Sequence, residues 1–173
     1  MQGKASQKGS EHMKGRRLLL SLILAALVAL ALAGAASAGR LDVADHGGRP
    51  FSTELTGEEE VDPLTGEVGV GDPDGRGTAT ITLNPGQEEV CFELTVAAID
   101  TPIGAHIHEG AAGTNGPVVV GLEPLPPTGD SSSSGCVSLE RQEIIEILRD
   151  PSNYYVNVHT GLFPDGAIRG QLP

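Results

Sequence analysis

The chain has 173 residues and a formal net charge of −12, a length that suits one domain rather than two. With 23 Asp+Glu against 11 Lys+Arg, it lacks the cationic surface that neutralises phosphates, which excludes nucleic acid and anionic membrane surfaces as partners. Aromatic residues make up 3%, too few for a base-stacking platform.

Residues 1–11 are polar and unpatterned. From Met13 the chain carries Lys14, Arg16 and Arg17, then an apolar run over 18–36 interrupted by Ser21, then the small-residue site Ala36-Ser37-Ala38. A basic start, an apolar middle and an A-x-A end predict a secretory signal peptide. Left uncleaved, the same run is long enough to anchor the chain in a bilayer. Residues 1–38 are therefore read as extension and signal peptide, 39–50 as a mature tail, and 51–173 as the domain. The leader takes five of the basic and one of the acidic groups. The remainder carries 6 basic and 22 acidic groups and no lysine. The expected location is secreted or extracytoplasmic, within the cell envelope. Cys91 and Cys136 form an even pair in an exported chain, which predicts a disulfide. The bridge would close about 45 residues and add on the order of 3–4 kcal/mol.

Within the domain, short alternating runs are separated by Gly, Pro and Asp turns. Residues 51–55 are a first strand. Residues 58–74 form an acidic segment without the spacing of an EF-hand, read as a solvated loop. Residues 76–83 put Ala79, Ile81 and Leu83 on one face. After an Asn84-Pro85-Gly86 turn, residues 89–99 put Val90, Phe92, Leu94, Val96 and Ala98 inward and Cys91, Glu93 and Thr95 outward. Residues 105–108 and 117–122 are further strands. Residues 123–135, rich in Pro and Ser, are expected to be a surface loop. The stretch 138–149 predicts the single helix, capped by Ser138, ended by Asp150-Pro151 and buried through Ile144, Ile145 and Leu148. Residues 154–160 and 167–172 complete the set, with Tyr154, Val156, Val158, Ile168 and Leu172 inward.

The same parity places chemistry on the other face. His106 and His108 flank the core residue Ile107 and so point away from the core together. His159 lies outward on its own strand beside Tyr155 and Asn157. If the strands are neighbours, three imidazoles share one face, and imidazole is a common ligand for zinc and copper. H-x-H is short, however, and such rings also serve merely to hold a nearby loop. Arg169 and Glu93 also count as outward and are expected to pair with each other, as support behind the histidines or as a structural ion pair. No nucleophile motif, phosphate loop or catalytic carboxylate pair is present.

The blocks Leu55-Thr56-Gly57-Glu58-Glu59-Glu60-Val61, Ala105-His106-Ile107-His108-Glu109-Gly110, Asn115-Gly116-Pro117-Val118-Val119, Tyr154-Tyr155-Val156-Asn157-Val158-His159-Thr160 and Gly166-Ala167-Ile168-Arg169-Gly170-Gln171-Leu172 resemble the CHRD domain, named after chordin. The likeness spans roughly 51–172. It implies an extracellular interaction module, with the family's usual double proline replaced here by Asp62-Pro63. The His-Ile-His strand with its Gly-rich loop is also similar to a few residues of copper–zinc superoxide dismutases, exported Greek-key sandwiches with one disulfide. The fold expected is all-β, an immunoglobulin-like or dismutase-like Greek-key sandwich with one short helix. The first functional expectation is a non-enzymatic extracytoplasmic module that binds an envelope or extracellular protein. The alternative is a copper- or zinc-binding protein, redox-active if dismutase-like, using His106, His108 and His159.

Overall fold

The computed structural model of the chain describes residues 47–173. The expected signal peptide and most of the tail lie outside the described residues. Among the described residues no helix is long and apolar enough to cross a membrane.

Eight strands follow in chain order: β1 (Arg49–Thr56), β2 (Arg76–Asn84), β3 (Glu89–Ala97), β4 (Pro102–Glu109), β5 (Val118–Gly121), β6 (Ser131–Ser138), β7 (Tyr154–Thr160) and β8 (Ile168–Gln171). One helix, α1 (Arg141–Arg149), and the 3₁₀ turns Gly57–Glu59 and Pro151–Asn153 complete the set. Every pairing is antiparallel, and the spatial order is β5-β4-β7-β8-β1-β2-β3-β6. The all-β sandwich with one short helix is therefore the architecture observed. The sheet coils until its ends meet: a Cβ on Gly135 of β6 would lie 2.9 Å from the carbonyl oxygen of Glu123, just past β5.

The β2–β3 hairpin shows how the sequence does this. Both strands alternate, and they pair without a slip from Arg76↔Ala97 to Asn84↔Glu89. The turn is fixed by the Asn84 side chain, whose Oδ1 accepts from the N–H groups of Gly86 and Gln87. Inward residues Ile81, Leu83, Val90, Phe92 and Leu94 join Ile107, Val156, Val158 and Ile168 in one core. Each such side chain contributes on the order of 1.5–3 kcal/mol by leaving water.

Two expectations need correction. The Pro/Ser stretch does not stay a loop: its second half is β6, an edge strand that pairs along β3 from Val96↔Ser131 to Glu89↔Ser138. Serine is a weak strand former, and here ladder pairing outweighs propensity. Cys91 and Cys136 stand directly opposite in this ladder and form the expected disulfide. Because β6 consumes Ser138, the helix begins at Arg141 after Glu140, without a side-chain cap. Its buried residues are Ile144 and Ile147, with Leu148 partly covered, rather than the expected stripe of Ile144, Ile145 and Leu148.

A candidate metal centre

The site is built on β4 and β7. Their register sets Gly104 opposite His159, His106 opposite Asn157 and His108 opposite Tyr155. Residues directly opposite share a face, so all six lie on the side away from Ile107 and Val156. His106 and His159 are diagonal neighbours, and glycine at 104 leaves the room they occupy: a Cβ there would lie 3.2 Å from His106 Cε1 and 3.6 Å from His159 Cδ2. On the other flank of His106 stands Gly121 of β5.

The structure brings the three predicted histidines together. Ring centroids are 5.1 Å apart for His106 and His159, 5.6 Å for His106 and His108, and 6.0 Å for His108 and His159. One ligand nitrogen from each lies within 4.8 Å of the others. A tetrahedral zinc site with Zn–N near 2.0–2.1 Å spaces its nitrogens by about 3.3 Å, so the nitrogens need to draw together by at most about 1.5 Å.

The hydrogen bonds decide which nitrogens are available. His108 Nδ1 lies 3.0 Å from the carbonyl oxygen of Gly116, and His159 Nδ1 lies 3.0 Å from that of Pro164. A carbonyl only accepts, so both Nδ1 atoms carry the proton and both Nε2 atoms present a lone pair. Those Nε2 atoms are buried and have no hydrogen-bond partner, and neither does the buried Nδ1 of His106. Burial, the largest influence on each ring, holds all three histidines below the ordinary imidazole pKa, so they are neutral at neutral pH. The arrangement has the donor atoms, the protonation state and, in His108 and His159, the fixed tautomers that suit a metal ion.

Behind the histidines the face is not open, and this corrects the parity reading. Tyr155, Asn157 and Arg169 point away from the core as expected, yet each is buried, Arg169 to 1% exposure. The connections over 57–72 and 110–117 cover them. Tyr155 stacks on His108 with centroids 4.9 Å apart and planes 10° apart, and the Arg169 guanidinium carbon stands 3.4 Å from the Tyr155 centroid. Arg169 donates to the carbonyl of Ala111 and to Asn115 Oδ1, and Asn115 in turn donates to the carbonyl of Val61. One cation thus ties both covering segments to β8.

The carboxyl group that faces Arg169 is Glu60, not Glu93. Glu93 sits on β3 between Thr80 and Ser134, and two strands, β1 and β2, separate β3 from β8 in the sheet. Glu60, 1% exposed, accepts from Asn157 Nδ2, and its Oε1 has no partner. Desolvation pushes its pKa up to about 8, against the opposing pull of Arg169. Sequence reasoning missed Glu60, and it placed Asn157 and Tyr155 on this face without giving them a role. Glu60 is the third of three consecutive glutamates, and nothing local distinguishes it from its neighbours. For Tyr155 the doubled aromatic at the head of β7 was the available signal of a strand buried on both faces.

Fold and site together define a small disulfide-bridged β-sandwich with a three-imidazole cluster under two loops. The family model described as the CHRD domain matches residues 51–172, and the chain belongs to that family. No curated protein and no solved structure shows a significant match to the chain.

Proposed function

We propose that this chain is an exported, non-enzymatic CHRD-domain module that binds a transition-metal ion, copper or zinc, through His106, His108 and His159. One observation carries the reading: the three rings bring one nitrogen each within 4.8 Å of the others, each ring has a buried nitrogen without a partner, and carbonyls fix the tautomers of two of the rings. An all-nitrogen set without thiolate suits Zn²⁺ and Cu²⁺ rather than the hard oxygen-seeking ions. The ion would supply positive charge and an open fourth position, which a water or an outside donor fills. Export is supported by the leader pattern and by the Cys91–Cys136 bridge, since disulfides persist in oxidising compartments.

The test is calorimetric titration of the purified protein with Cu²⁺ and Zn²⁺, beside a His106→Ala/His159→Ala variant. Stoichiometric binding, weakened at least a hundredfold in the variant, supports the proposal. Equal binding by both proteins, or none by either, overturns it.

A protein partner is the second reading, favoured by the exposed Leu64 (94%) and Leu162 (73%). Leu162 borders a cleft of 180 Å³ also lined by Val61, Pro63, Phe163 and Pro164. If this surface docks a protein from the host envelope, Leu64→Ser/Leu162→Ser abolishes its capture by the domain and leaves metal titration unchanged. Capture that survives the substitution removes this reading.

A further inference from the structure

The two more accessible histidines are flanked by acidic residues. His108 is nearly covered, 8% exposed, whereas His106 and His159 are half-buried, so the cluster is reached from their side. Each of these two rings is flanked by a segment that carries an exposed carboxylate. Glu123 follows β5, two residues after the Gly121 that pairs with His106. It is the acidic group that acts electrostatically on His106. Asp165 directly follows the Pro164 whose carbonyl holds His159, and it acts on that ring. The cation nearest the cluster, Arg169, lies on the opposite side, buried against Tyr155.

We infer that Glu123 and Asp165 form an electrostatic mouth that draws a divalent cation onto the three histidines and turns small anions away, so that the metal is the cargo of this site and not a centre for reacting anionic substrates. The inference rests on the metal reading above and specifies how that site is loaded. The physics is that of steering. Two negative charges beside a low-dielectric wall raise the local concentration of a divalent cation, and the effect falls as salt screens it. The same charges oppose an anion at the fourth position. Neither carboxylate belongs to the group whose ligand atoms converge, so their role is in approach rather than coordination.

The experiment follows Cu²⁺ binding to the purified protein by stopped flow in a non-coordinating buffer, at about 10 mM and about 300 mM salt. The readout is quenching of tyrosine emission, since Tyr155 stacks on His108 and the chain has no tryptophan. In the wild type the association rate should fall at least fivefold between the two salts. In Glu123→Gln/Asp165→Asn it should be at least threefold slower at low salt and equal to wild type at high salt. The electron paramagnetic resonance spectrum of the copper form should not change. Azide, as an anionic probe of the fourth position, should bind the copper form of the variant several-fold more tightly. Both residues are exposed and neither substitution changes a core contact, so folding is not at stake.

An unchanged association rate in the variant overturns the inference while leaving the metal reading intact. An altered spectrum overturns it too, because the carboxylates would then be ligands. Absence of any copper binding by the wild type overturns both.

Discussion

Arg169 of β8 stands over the ring of Tyr155 of β7, 3.4 Å from its centroid, and the same ring stacks on His108 of β4. Three adjacent strands thus feed one column of side chains, and its last member is a candidate ligand. Arg169 also holds the carbonyl of Ala111 and the side chain of Asn115. Arg169→Ala removes a cation–π contact and these hydrogen bonds together, and should cost about 2–4 kcal/mol. Urea unfolding checks the loss. Metal affinity, measured in the same variant, should fall as well, because Gly116, whose carbonyl orients His108, lies in the released loop.

Gly104 tests whether the space over β4 matters. A methyl group there meets His106 Cε1 at 3.2 Å, closer than an ordinary contact, so the ring must shift by a few tenths of an ångström. Gly104→Ala should weaken metal binding about tenfold while changing stability by less than about 1 kcal/mol, since alanine suits a strand better than glycine. Titration beside thermal unfolding separates the two effects. Unchanged affinity would show that the rings have slack.

Acid should empty the site and destabilise the fold through the same rings. The three histidines have pKa values lowered by burial. Their contribution to stability is full above the unfolded value near 6.5 and is lost as pH falls through their folded values. A metal held by their lone pairs leaves over the same range. Copper retention on dialysis across pH 4–7, and unfolding curves of the metal-free protein, measure both.

Glu60 acts with the opposite sign. Its folded pKa of about 8 lies above the ordinary carboxyl value of 4.5, so its protonated form favours the fold. The stability it gives is complete below pH 4.5 and is lost as pH rises through 8. Glu60→Gln keeps the shape and removes the proton. Between pH 5 and 8 the wild type should lose up to a few kcal/mol relative to this variant. Parallel curves for the two proteins would show that Glu60 ionises freely.

Much of this was legible in the sequence, and the failures have a common cause. Alternation placed β2, β3 and β7 and put His106, His108 and His159 on one face, because strand parity is a local property of the chain. Parity cannot report what lies above that face. Tyr155, Asn157 and Arg169 are outward by count yet buried by segments about 40 to 110 residues away in the sequence, and only the fold brings those segments there. The Arg169–Glu93 pair failed for the same reason: parity gives the face but not the strand order, and that order puts β1 and β2 between them. Strand β6 was missed because Ser131 to Ser134 carry no strand preference of their own. Partner β3 and the Cys91–Cys136 bridge supply what the residues lack.

That bridge links register-opposed residues of β3 and the edge strand β6, at the far end of the strand order from the β4–β7 ladder that holds the histidines. Breaking it should cost about 4 kcal/mol, given a sequence separation of 45, a loss that denaturation under reducing and oxidising conditions would measure. The loss falls on the edge strand, and it reaches the histidine face chiefly through Gly135, which abuts the carbonyl of Glu123. Loading rate and holding strength would then answer to different parts of the molecule. On the proposed reading, a reductant that loosens β6 should reach the backbone at Glu123 first and lower the loading rate before the affinity. If the proposed metal reading holds, the oxidation state of the surroundings would act as a valve on traffic through the site rather than a lock on its contents.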